Sequence, residues 1–155
     1  MEKELSLKKK DAGIYVLVVS VAHPLWIKPG KLPEREFQKG IYFYIGRAKQ
    51  HLRGRLARHF RAEKKLFWHV DYLLQKASIA EIWCRLGFFD ECRIASAIIE
   101  VCGTTCAPIP GFGTSDCRCP SHLIYYSGDS KFLLPLRYSI HFREVQTHAI
   151  DDNPF

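Results

Sequence analysis

Between residues 47 and 65 the chain places Arg47, Lys49, Arg53, Arg55, Arg58, Arg61, Lys64 and Lys65 against Glu63 alone. The excess positive charge there equals the formal net charge of +7 of all 155 residues. Charge gathered this tightly reads as a polyanion-binding face, on which cations displace the counterions condensed around phosphates. Arg55 and His59 are four residues apart, so on a helix both leave one flank and can face one phosphate. Arginine is suited to the task because its planar fork donates two parallel bonds to nonbridging oxygens. Arg58 and Arg61 point outward in this reading and, with Arg53, are left for solvent or for contact with the nucleic-acid backbone, as are Arg47 and Lys49 at the start of the segment.

Other groups offer different chemistry. Glu91 is a candidate ligand for a hard divalent cation, which takes carboxylate oxygen and keeps water in the rest of its shell. Cys117-x-Cys119-x2-His122 has the look of a zinc half-site, with Cys92 as a fourth ligand if its helix packs nearby; a disulfide and plain packing thiols are the alternatives. Tyr15 and Tyr44 bring phenols to strand ends, although tyrosines in such places commonly serve as core aromatics. His69 and Asp71 are read as structural groups beside an apolar helix stripe.

The elements that must position these groups follow from hydrophobic period. Gly13–Val21 and Gly40–Gly46 read as strands that pair antiparallel, joined by a long loop over 23–39 with a candidate role in covering the site or touching nucleic acid. Leu52, Leu56 and Phe60 recur every four residues and predict a helix to about Ala62. A second helix is expected over Leu66–Ala77, a third strand over Ile79–Leu86, and a third helix over Glu91–Cys102, capped by Asp90 and stopped by Gly103. Strands are expected again at His122–Tyr126 and at Leu134–Phe142, where Leu134, Leu136, Tyr138, Ile140 and Phe142 alternate with other residues.

With 47% apolar and 25% charged residues the chain has the composition of an ordinary globular protein, and its length suits one domain. We expect a charged segment over 1–12, a domain over 13–145 and a fraying tail over 146–155. The longest N-terminal apolar run falls well short of the roughly 20 residues of a membrane span, and the charged opening lacks the features of a secretory signal. A cytoplasmic address with reduced thiols, and no membrane partner, is therefore expected.

Gly13-Ile14-Tyr15 heading one strand and Tyr44-Ile45-Gly46 ending the next, before an arginine-bearing helix, resemble the GIY-YIG nuclease superfamily. The phrases YFYIG, RLARH, WHVDYLL, DEC and GFGTSDCRCPSH, in this order, resemble its small stand-alone Uri-type branch. The likeness runs from Gly13 to Tyr126. It implies an α/β fold, a three-stranded antiparallel sheet flanked by helices, here with additional C-terminal strands. It also implies a metal-dependent endonuclease that hydrolyses nucleic acid phosphodiesters with one divalent ion, Mg²⁺ or Mn²⁺. By the same resemblance Tyr44 is the base candidate and Tyr15 its companion phenol, Arg55 clamps the phosphate, His59 fills a site held by His or Tyr in some members, and Glu91 binds the metal. Two positions depart from the pattern: Arg47 stands where relatives often carry lysine, and Ser115 or Asp116 falls where an asparagine often lies beside the scissile phosphate. DNA is the expected substrate; an RNA-processing nuclease and a catalytically silent nucleic-acid binding module stay open.

Overall fold

The computed structural model describes residues 11–114 and 117–146. Strand β1 (Gly13–Val21) carries apolar side chains on both pleat faces, the signature of a strand covered on both sides. After β2 (Leu25–Ile27) and β3 (Arg35–Phe37) the chain returns along β1 as β4 (Gly40–Ala48). Helices α1 (Leu52–Phe60) and α2 (His69–Leu74) precede β5 (Ser78–Leu86), which pairs with the other side of β1. Then come α3 (Glu91–Cys102), β6 (Cys106–Pro108), β7 (Leu123–Tyr126), α4 (Leu133–Ser139) and β8 (Arg143–Val145).

The main sheet runs β6-β7-β4-β1-β5-β8 with every neighbouring pair antiparallel. The sheet has six strands, where a three-stranded sheet with additional C-terminal strands is expected. The short β7 and β8 satisfy backbone groups that β4 and β5 would otherwise leave unpaired along their outer edges. Ile14, Val16 and Val18 point to one face, against Ile94, Ala95 and Ile98 of α3, Leu136 of α4 and Ile140 just after α4. Tyr15, Leu17 and Val19 point to the other, against Leu52 and Leu56 of α1 and Val70 and Leu73 of α2. The result is a mixed α/β architecture with helices on both faces of an antiparallel sheet.

Several expectations need correction. Leu134–Phe142 is not a strand: Leu133–Ser139 is helical, burying Leu136 with Ile140 one turn on while Leu134 and Tyr138 face outward. Residues 136 and 140 satisfy both a two-residue and a four-residue period, and Pro135 is tolerated because it falls in the first turn. The loop over 23–39 contains the β2–β3 hairpin, which buries Ile27 and Phe37 against the face that holds Tyr15. Helix α1 ends at Phe60, with Arg61 extended, and buries Leu52, Leu56 and His59, leaving Phe60 half-buried. Helix α2 is shorter than the span 66–77, because the amides of Phe67 and Trp68 bond the Asp71 carboxylate and hold the approach out of helix.

Helix α3 spans Glu91–Cys102 as expected, with the Asp90 side chain accepting from the Arg93 amide and Gly103 at positive φ closing it. No helix among the described residues is long and apolar enough to cross a membrane. Most of the charged N-terminal segment, the tail from residue 147 and the pair Ser115–Asp116 lie outside the described residues.

Candidate functional site

A cleft of about 1030 Å³ opens where the start of β1, the end of β4, α1 and the first turn of α3 meet. Tyr15, Tyr44, Arg47, Lys49, Arg55 and Glu91 all line it, although they come from four separate elements and the segment joining β4 to α1. The antiparallel register makes this possible by setting Tyr15 opposite Gly46 and Leu17 opposite Tyr44, so that both phenols lie on one face, with ring centroids 6.4 Å apart. A β-carbon at Gly46 would collide with the Tyr15 ring, so the glycine of one tripeptide makes room for the tyrosine of the other.

The Tyr15 hydroxyl lies 2.8 Å from Nε2 of His59, and both groups are buried. Burial, reinforced by Lys64, pushes the His59 imidazole down to about 3, so it is neutral at physiological pH. His59 therefore stands behind Tyr15, on the inward stripe with Leu52 and Leu56 and outside the cleft lining, whereas Arg55 lines the cleft. Burial also raises both phenols, Tyr15 with help from Tyr44 and Tyr44 with help from Glu91, while Arg55 acts in the opposite direction on each. At neutral pH both are protonated and able to donate hydrogen bonds.

Arg55 donates to the backbone carbonyl of Arg47, and its guanidinium lies 4.9 Å from the Trp68 ring centroid, which fixes the fork at the cleft wall. Arg58 is differently employed. It grips the fully buried Asp71 with two bonds of 2.9 and 3.0 Å, donates to the Lys65 carbonyl and lies over Trp68. The outward-pointing Arg58 of the sequence reading is thus corrected, because its charge neutralises an interior carboxylate. Asp71 is buried within this ion pair, while His69 accepts from the Gly113 amide at 2.8 Å and also lines the cleft. Arg53 and Arg61 are exposed at the two ends of α1, away from the cleft lining.

Glu91 is held on both oxygens, by Arg47 Nε at 3.0 Å and by His122 Nδ1 at 3.2 Å, with its side chain 20% exposed. Arg47 and His122 thus hold this partly buried carboxylate. Just behind it the ligand atoms of Cys92, Cys117, Cys119 and His122 converge within 4.8 Å of one another. Cys92 and Cys119 are joined as a disulfide in this structure, and His122 Nε2 lies 3.6 Å from the Cys92 sulfur and 3.5 Å from the Cys117 sulfur. Three sulfurs and one imidazole form a donor set that could hold a metal, and its softness fits zinc better than magnesium.

Aromatic residues whose roles are not legible from sequence form the rim of the cleft. Trp68 forms the wall on which Arg55 lies, while Phe67, 73% exposed, and Phe89 flank the opening. An aromatic pair followed by a helix looks like core in sequence; here both backbone amides donate to the Asp71 carboxylate and Phe67 faces outward. The family described as Domain of unknown function DUF123 matches residues 14–141, a span that includes every cleft and cluster residue discussed above. No curated protein matches the chain, and no solved structure does.

Proposed function

We propose that this chain, which belongs to the DUF123 family, is a divalent-metal-dependent endonuclease that hydrolyses nucleic acid phosphodiesters, with DNA as its substrate. The observation that carries the reading is the convergence of Tyr15, Tyr44, Arg55 and Glu91 on one basic cleft. We take the β4-β1-β5 centre of the sheet as the counterpart of the three-stranded GIY-YIG sheet.

Cleavage needs an attacking water, donors for the nonbridging oxygens and a partner for the leaving oxyanion. Arg55 supplies the bidentate clamp, with its fork held ready by Trp68 and the Arg47 carbonyl. The Tyr44 and Tyr15 hydroxyls hydrogen-bond the phosphate or the water, and neutral His59 holds the Tyr15 hydroxyl in place. Tyr44 keeps the base role inferred from the resemblance, provided that positive charge brought into the cleft outweighs burial. Glu91 fits a hard cation, since a carboxylate has about four lone-pair sites and Arg47 and His122 use two of them. When bound there, Mg²⁺ or Mn²⁺ supplies Lewis-acid stabilisation of the leaving oxygen. Arg47 and Lys49 at the cleft, and Arg53 and Arg61 on the same helix segment, contact flanking phosphates. Cys92, Cys117, Cys119 and His122 hold zinc when the thiols are reduced.

The engagement of both Glu91 oxygens favours one rival, a binding module without turnover. Purified protein incubated with labelled single-stranded, duplex and branched DNA and with RNA, with Mg²⁺, Mn²⁺ or chelator, separates the readings. Metal-dependent cleavage of DNA supports the nuclease; retention without cleavage supports the silent module; cleavage confined to RNA moves the substrate.

A further inference from the structure

We propose that Glu91 serves two centres: besides facing the cleft, it is the carboxylate that orients His122 as a zinc ligand, so that zinc loading and the placement of Glu91 are coupled. This rests on the zinc reading of the cysteine cluster and extends the nuclease reading of the cleft.

The His122 ring stands between the two centres. Nδ1 faces Glu91 Oε2 at 3.2 Å, while Nε2 faces the Cys92 and Cys117 sulfurs at 3.6 and 3.5 Å. A proton on Nδ1, donated to the carboxylate, leaves the Nε2 lone pair directed at the cluster, which is the tautomer a metal requires. The ring has little freedom to choose otherwise. His122 is buried, its amide donates to the Phe112 carbonyl at 2.8 Å, and its carbonyl accepts from the Ile45 amide at 2.9 Å. A side chain at Gly113 would crowd the His122 β-carbon at 3.1 Å, so the backbone beside the ring is close-packed as well.

Cys92 follows Glu91 directly at the head of α3, so ligation of its thiolate fixes the turn that carries the carboxylate. Arg47 holds the other carboxylate oxygen from β4. Zinc, His122, Glu91 and Arg47 thus form a chain from the cluster into the cleft. Coupling of this kind is reciprocal: if zinc orders Glu91, loss of Glu91 weakens zinc.

The test needs no nucleic acid. Reduced protein is titrated with zinc against a chromophoric chelator for wild type, Glu91→Ala, Glu91→Gln and Glu100→Gln, the last being an exposed acid on the same helix. Wild type should bind one zinc per chain, and Glu91→Ala should bind about 10- to 100-fold more weakly, as for loss of an outer hydrogen-bond partner of a ligating histidine. Glu91→Gln, whose amide oxygen still accepts, should fall between, and Glu100→Gln should match wild type. Cobalt-loaded forms of all four should keep the thiolate-to-metal absorption, showing that the ligands themselves are intact.

Equal zinc affinity of wild type and both Glu91 variants overturns the coupling, as does a reduced wild type that binds no zinc. If Glu91→Ala fails to fold by circular dichroism, the comparison with Glu91→Gln decides. The expected ranking in a protein that cleaves nothing supports the coupling and removes only the nuclease reading. Metal-dependent cleavage without the ranking overturns the coupling and leaves the nuclease standing.

Discussion

The ring of Tyr15 fills the space that a side chain on Gly46 would occupy, directly across the β1–β4 pairing. The two residues are therefore one steric unit although 31 positions separate them in the chain. Gly46→Ala should destabilise the protein by about 1 to 3 kcal/mol, the usual range for overpacking a filled core site. Chemical denaturation measures this, and an unchanged midpoint would show that the ring moves aside at no cost.

Buried His59 gives stability a pH dependence of known sign. Its folded value of about 3 lies below the ordinary 6.5, so between these values the unfolded chain binds the extra proton. The associated stability is fully present above about pH 6.5 and is lost as pH falls towards 3. Asp71, whose carboxyl is lowered by its bonds from Arg58 and two amides against the opposing effect of burial, adds to the slope only below its ordinary value of 3.8. His69, lowered by burial, adds to it between pH 4 and 6.5 and Glu81, raised by burial, opposes it, so the His59 share is read as the difference between wild type and His59→Gln. Between pH 4 and 6.5 the wild-type slope should exceed that of His59→Gln by up to about 1.4 kcal/mol per pH unit. Parallel profiles for the two proteins would contradict a neutral buried His59.

Arg58 and Arg61 should behave in opposite ways. Arg58→Ala strands the buried Asp71 carboxylate and should cost about 3 kcal/mol or more of folding stability, whereas Arg61→Ala should leave the unfolding midpoint unchanged. Arg61→Ala should instead weaken DNA binding uniformly across sequences, as expected of a phosphate contact. In wild type, affinity should fall with salt at a log-log slope of about −3 to −5, for roughly four to five neutralised phosphates. Equal stability of the two variants would remove the interior role of Arg58.

On the proposed zinc reading, zinc and the Cys92–Cys119 disulfide would compete for the same sulfurs. Hydrogen peroxide takes two electrons from the two thiolates, forming one S–S bond and two waters with two protons consumed, and the oxidised pair no longer binds metal. Zinc-free protein treated with peroxide should lose two of its six thiols by quantitation under denaturing conditions, while zinc-loaded protein is protected. Loss from both forms at the same rate would place the metal elsewhere.

What could be read in the sequence and what could not divide along physical lines. The central strands and helix α3 were legible because a β-branched run between glycines and a capped amphipathic stretch each admit one structure. Leu134–Phe142 is ambiguous because its buried residues fit two periods, and the helix is selected by burial of Leu136 and Ile140 in the core on the Ile14–Val18 face. The convergence of Cys92 with Cys117, Cys119 and His122 was anticipated as a conditional packing of the third helix, and the packing meets that condition. The roles of Arg58 and His59 were not legible, since both depend on partners, Asp71 and Tyr15, supplied by other elements.

Phosphodiester cleavage in this cleft with Arg55 as the proposed phosphate clamp is tested by the single-turnover cleavage rate on labelled DNA with saturating Mg²⁺. Wild type should cleave, Arg61→Ala at saturating protein should cleave at close to the same rate, and Arg55→Ala should be slower by about 10²- to 10³-fold, the usual loss on removing one transition-state donor. Cleavage by Arg55→Ala at the wild-type rate, or a wild type that binds DNA and leaves it intact with either Mg²⁺ or Mn²⁺, would contradict the account.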